Sequence, residues 1–227
     1  MDGSFPPPRL DTRPVREPMF NVPWPVMTVV LAILGAYLVQ IGPGGGDDAI
    51  VRYGLHPAEL WRGHPSELMA MLFLHGGWPH AIMNALGVLA FGAPVARYLG
   101  LGPRGGLAFF TFYLACGLIS GLAYAAVHPT GMDPVVGASG AVSGLMGAAS
   151  RLFGARRKLN ALNSSPVVSL AIGWVAVNAI MAVFGAGALA DGARIAWEAH
   201  IAGFVAGALL IGAWGHIGGP APLNEVH

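Results

Sequence analysis

The chain has 227 residues, of which 55% are hydrophobic and only 10% charged. A water-soluble domain carries about 25% charged residues, so these proportions exclude a soluble globular protein and point to several membrane crossings. A net charge of +1, with no basic patch interleaved with aromatics, gives no ground for a nucleic-acid partner. The single cysteine, Cys116, rules out an internal disulfide and reads as a small buried hydrophobe.

The first twenty-odd residues are rich in Pro and Arg, with no small-residue cleavage pattern behind a short apolar core. They predict a tail over residues 1–24 rather than a signal peptide. A spanning helix needs about 20 mostly apolar residues, and six segments qualify or nearly do. The first is predicted over Pro25 to Ile41 and the second over Pro79 to Tyr98. Between them runs a long connection whose apolar stretch, Leu68 to Leu74, is too short to cross and should pack back on the bundle. The third span covers Gly106 to Val127, and a short fourth covers Gly137 to Ser150. The fifth runs from Pro166 to about Ala188 and the sixth from Ile195 to about Trp214. The membrane domain is thus expected over 25–216, with a second tail at 217–227.

Lysine and arginine placement sets the orientation. With six spans both termini share a side, and that side collects Arg9, Arg13, Arg16, Arg97, Arg104, Arg151, Arg156, Arg157 and Lys158. The other side holds only Arg52, Arg62 and Arg194. Both termini are therefore expected in the cytoplasm. The Gly- and Ala-rich composition and short tails fit a bacterial plasma membrane.

The fourth span is informative because it is short. From Ser139 to Arg151 is twelve residues, about 18 Å of helix, whereas the hydrocarbon core is about 30 Å thick. With Arg151 at the cytoplasmic face, Ser139 stops inside the membrane. The preceding His128 to Val136 must then be irregular backbone, tolerated at depth only when buried in protein or lining a wet cavity. On the sixth span, His200 lies sixteen residues from His216, about 24 Å, which puts it at a similar level. Gly140 and Gly144 on one helix, and Gly203 and Gly207 on the other, allow close approach. Ser139 and His200 are thus a candidate nucleophile and base. A serine at a helix start also has free N–H groups and a positive dipole end to meet negative charge.

No acid is placed to complete a triad. Glu198 is two residues before His200 and points elsewhere on the helix, and Asp133 and Asp191 fall in loops. A Ser-His dyad is expected, with packing and hydrogen bonds holding the imidazole. On the second span His80 and Asn84 share a face at i, i+4, and as neutral donors they suit an oxyanion hole. His75 lies just before. Zinc is disfavoured, since the pattern is not His-Glu-x-x-His and no carboxylate accompanies it. Ser120 and Ser143 read as packing residues, and His56, His64, His128, His216 and His227 as solvated.

Taken together, His75, His80 and Asn84 on the second span, Gly137, Ser139 and Gly140 opening the fourth, and Ala199, His200, Gly203 and Gly207 on the sixth resemble the rhomboid family. The order and helix assignments match over about residues 25–216. The resemblance implies an all-α six-helix bundle with a short fourth helix starting inside the membrane. It implies a serine endopeptidase that cleaves transmembrane segments of other membrane proteins in the bilayer, with no cofactor. Ser139 would attack the scissile carbonyl and His200 would carry the proton. His80, Asn84 and the Ser139 N–H would hold the oxyanion, and His75 and the glycines would support them. Ala96 stands where many members carry a glutamate, and Ser143 where some carry an aromatic that stacks on the histidine. The alternative is a catalytically silent rhomboid-like protein that binds or escorts membrane proteins. A channel or transporter would call for paired broken helices with coordinating carboxylates, which this sequence lacks.

Overall fold

The computed structural model describes residues 21–43, 45–155, 158–184 and 196–218. Arg9, Arg13, Arg16, Arg156, Arg157, Asp191, Arg194 and His227 therefore lie outside the described residues, as does most of each predicted tail. Among the described residues the fold is all helical. The sole extended pairing is an isolated antiparallel bridge between Leu55 and Val135.

Helix α1 runs Trp24–Gln40, with Pro25 at its start where a missing N–H costs nothing. The long connection that follows holds three short helices, α2 (Asp47–Tyr53), α3 (Pro57–Trp61) and α4 (Ser66–Ala70), and a 3-10 turn at Met71–Phe73. Helix α5 spans Trp78–Leu99 and stops at Gly100, whose φ of 95° few other residues adopt. Helix α6 spans Pro103–Val127, α7 Ser139–Ser150, α8 Ser165–Phe184 and α9 Trp197–Gly218. Helices α5, α6, α8 and α9 are long and apolar enough to cross a membrane. Helix α1, at 17 residues, is a shorter apolar helix, and α7 has 12. The chain is a multi-pass membrane protein built as one bundle of six helices with α7 at its centre.

That central place is legible in burial. Every residue of α7 after Ser139 is buried. Helices α5, α6 and α9 surround it, and α1 packs on α5. Glycines set the distances. A Cβ on Gly203 would fall on the carbonyl oxygen of Gly140, one on Gly207 on that of Gly144, and one on Gly147 on that of Phe204. On the other side, Gly140 abuts Ser120 and Gly144 abuts Cys116. Helix α7 is held backbone to backbone against α9, the small-residue packing that replaces hydrophobic drive between helices in lipid.

The same contacts measure how far α7 falls short. Gly140 lies beside Ser120, and α6 continues to Val127, about 10 Å of further helix. The start of α7 is thus sunk within the bundle, as the short fourth span predicts. The irregular backbone above it is satisfied by protein. Leu55 and Val135 exchange N–H···O bonds of 2.9 Å, Ala58 N–H donates to Gly131 O at 3.0 Å, and Gly137 N–H donates to Met71 O at 2.8 Å. The stretch around Leu68 does pack back on the bundle: Leu68, Met71 and Leu72 form a second core cluster with Leu55, Leu60 and Ala125.

Three expectations need correction. Helix α7 starts at Ser139, with Ala138 as its cap, so Gly137 belongs to the preceding turn and is not helical. His56 is not solvated: it faces Glu67 at 3.4 Å with its side chain 12% exposed. His128 pairs with Glu198 at 3.0 Å, which joins the end of α6 to the start of α9. Both imidazoles sit where a loop must be tied to a helix, and both find a carboxylate there.

Candidate active site

Ser139 opens α7, and His200 lies one turn into α9. The glycine seam between the two helices brings His200 Nε2 within 2.7 Å of Ser139 Oγ. His200 is buried, while Ser139 keeps partial exposure. The opposite ring nitrogen, Nδ1, lies 2.7 Å from Asn178 Oδ1. Asn178 Nδ2 donates to the Trp174 carbonyl at 2.8 Å, so the oxygen of this amide is the atom aimed at His200 and Nδ1 must carry the proton. That leaves the Nε2 lone pair to accept from the Ser139 hydroxyl. A serine so placed is a hydroxyl whose proton has a ready acceptor, the general requirement for an activated nucleophile.

Trp174 completes the surroundings of the imidazole, while Ser143 and Glu198 bond elsewhere. The Trp174 ring lies across it at 5.7 Å between centroids and an angle of 38°. Ser143 donates to the Ser139 carbonyl at 2.7 Å and makes no aromatic contact with the ring. Glu198, as the sequence predicts, turns away from His200 and toward His128.

His80 and Asn84 converge from α5 on the turn that precedes Ser139. Gly137 has a φ of 117°. A Cβ there would lie 2.6 Å from His80 Nε2 and 3.7 Å from Asn84 Nδ2. Glycine is required twice over, by backbone conformation and by space. Gly76 N–H donates to His80 Nδ1 at 3.3 Å, so in the neutral ring the proton is on Nε2, which faces the turn. Asn84 is 4% exposed, and its Nδ2 has no hydrogen-bond partner within the protein. Two N–H donors therefore point at one spot beside the start of α7.

His75 stands behind this pair, fully buried, with its ring 5.2 Å from that of His80. Its backbone is gripped by Gln40 at the end of α1: His75 N–H donates to Gln40 Oε1 at 2.9 Å, and Gln40 Nε2 donates to His75 O at 2.8 Å. Burial holds the His75 imidazole far below its ordinary range, at about 4, and nearby His80 pushes the same way. The unfolded ring takes a proton near pH 6.5 while the folded ring stays neutral. Stability is therefore complete above about pH 6.5 and falls as the pH drops toward 4, by up to about 3 kcal/mol. Unfolding in detergent between pH 7 and 4 should show this contribution, and His75→Gln should make the slope shallower. An unchanged slope in that variant would remove His75 as its source.

Comparison with protein-family models matches the Rhomboid domain over residues 57–216, more than half of the chain. The chain belongs to the rhomboid family. No curated protein matches it.

In this rhomboid chain the residues expected from sequence are brought together at one end of the bundle. His80 and Asn84 come from α5, Ser139 and Gly140 from α7, and His200, Gly203 and Gly207 from α9, with Gly137 on the turn between the donors and the serine. Sequence reasoning missed Gln40, Trp174 and Asn178. Asn178, a polar side chain in the middle of an apolar helix, is in a membrane itself a signal.

Proposed function

We propose that this rhomboid-family protein is an intramembrane serine endopeptidase, cutting peptide bonds in or near transmembrane segments of other membrane proteins. The observation that carries the reading is the 2.7 Å contact from Ser139 Oγ to His200 Nε2, with the tautomer fixed so that Nε2 accepts. Ser139 attacks the scissile carbonyl. His200 takes the hydroxyl proton and later returns it to the leaving amine, which frees the new N-terminus. Water then repeats the sequence on the acyl-enzyme. Charge on the carbonyl oxygen is met by the Ser139 N–H at the α7 start, His80 Nε2–H and the Asn84 amide. The unpartnered Asn84 Nδ2 is a donor already desolvated and aimed, so it costs no reorganisation when the oxyanion forms.

The substrate helix must unwind to offer a carbonyl, because helical backbone groups are already bonded to each other. Segments with small or helix-breaking residues near the cut should therefore be favoured. Arg97, Arg104, Arg151 and Lys158 lie at the helix ends remote from Ser139, which supports cytoplasmic termini and a site that opens outward. Residues 25–216 form the membrane unit between two tails, in a bacterial plasma membrane.

The test is cleavage of a single-span reporter by the full chain in liposomes, together with labelling of Ser139 by a serine-directed phosphonate. Turnover with labelling is expected. A folded protein that binds the reporter but neither cuts nor labels would instead be a silent binder. The oxyanion assignment has its own signature: Asn84→Ala should lower kcat about 100-fold or more while KM changes little. A rise in KM at constant kcat would make Asn84 a substrate-binding residue.

A further inference from the structure

Helix α8 is the least embedded of the long helices: 11% of its apolar stretch is buried, against 39–50% for α5, α6 and α9. Its outward residues, among them Ile172, Val175, Ile180 and Val183, are apolar and exposed, as a lipid-facing helix requires. Among its described residues just two are buried, Val167 and Asn178. An asparagine is a costly residue for such a place, since an unsatisfied amide in an apolar medium costs several kcal/mol. Here the amide is satisfied at both ends, by the Trp174 carbonyl and by His200 Nδ1. Trp174, one turn before it, lays its ring on the same imidazole.

Resting on the reading of Ser139 and His200 as nucleophile and base, we propose that Asn178 is the positioning residue of His200, and that the base is held ready only while α8 is docked. A neutral imidazole has two tautomers, and only the one protonated at Nδ1 can accept from serine. The Asn178 oxygen selects it, the role a carboxylate plays in a Ser-His-Asp triad. An amide does so without placing a charge in the bilayer. Trp174 restrains the rotation of the ring plane. Both groups sit on one face of one lightly anchored helix, so any displacement of α8 from α9 releases tautomer and orientation together. Asn178 touches neither the serine nor the carbonyl under attack. Its effect passes through His200.

The experiment compares the full-length chain in liposomes with Asn178→Leu, which keeps the volume and loses the acceptor, and Asn178→Asp, which keeps an oxygen in place. Asn178→Leu should lower kcat by about 10–100-fold with KM within about threefold, and slow phosphonate labelling of Ser139 in proportion. Asn178→Asp should restore most of kcat. Nitrogen-15 spectra of labelled histidine should show His200 protonated at Nδ1 in the wild type, and a mixture of tautomers in Asn178→Leu. The proposal is overturned if folded Asn178→Leu keeps kcat within twofold, if Asp and Leu lose activity equally, or if the tautomer does not change. If the wild type neither cuts nor labels, the protease reading falls instead, and the spectra still decide whether Asn178 orients the ring.

Discussion

Replacing Ser139 with alanine should reduce cleavage of a single-span reporter by at least about 10^4-fold, and His200→Ala should do the same. The two losses should not add. Ser139 without an acceptor for its proton is an ordinary alcohol, and His200 without the hydroxyl has nothing to activate, so the double variant should sit near either single one. Residual turnover would come from the oxyanion donors and substrate positioning alone, which in serine hydrolases still exceeds the reaction in water. All three variants should fold. Ser139 is only partly buried and sits at the mouth of α7, where alanine leaves the Gly140–Gly203 seam untouched. Retention of cleavage by Ser139→Ala, with native thermal stability, would require another nucleophile. Loss in His200→Ala accompanied by undiminished phosphonate labelling of Ser139 would show that the serine is activated by something other than this imidazole.

What could be read from the sequence divides along a physical line. Ser139, His200, His80 and Asn84 were legible because each is fixed within its own helix. A short span forces a serine to depth, and an i, i+4 spacing puts His80 and Asn84 on one face. Counts of twelve residues from Ser139 to Arg151 and sixteen from His200 to His216 put the two side chains at a similar level. The glycine seam was legible for the same reason, as a repeat of four on each of two helices. Asn178 was not, because its role depends on how α8 is rotated about its axis, and the apolar residues of α8 are spread around the helix with no polar face to fix that rotation. The stretch Val175 to Ile180 offers one polar residue, and nothing in its spacing says that it meets His200, 22 positions on. Trp174 was hidden likewise. The family resemblance points to the position one turn after the serine, where Ser143 stands, whereas the ring on His200 is supplied from α8. Gln40 ends an apolar helix, a place where a solvated amide is unremarkable, and only the fold of the long connection reveals that it holds the His75 backbone. The pairings of His56 with Glu67 and His128 with Glu198 depend on loop paths that composition does not determine.

The second large effect concerns the seam itself. Gly207→Leu should cost about 3 kcal/mol or more and abolish cleavage, although residue 207 lies two turns from His200 and touches no reacting group. The obstacle is backbone: a Cβ on Gly207 would fall on the carbonyl oxygen of Gly144, and a carbonyl inside a buried helix cannot swing aside as a side chain can. The helices must separate or slide instead. Gly203 meets Gly140 in the same way one turn nearer the site, so a separation imposed at 207 is transmitted along two stiff rods to Ser139 and His200. Their 2.7 Å hydrogen bond has little tolerance for it. The matched control is Gly173→Ala on α8, where an added Cβ meets nothing within 4 Å. That change should leave stability level or slightly improved, since alanine is the better helix former. Thermal unfolding in detergent and reporter cleavage, measured on both variants, make the comparison. If Gly207→Leu unfolds with the wild type yet loses cleavage, the seam sets geometry more than stability. If it keeps both, close approach of α7 and α9 is not what brings the serine to the histidine.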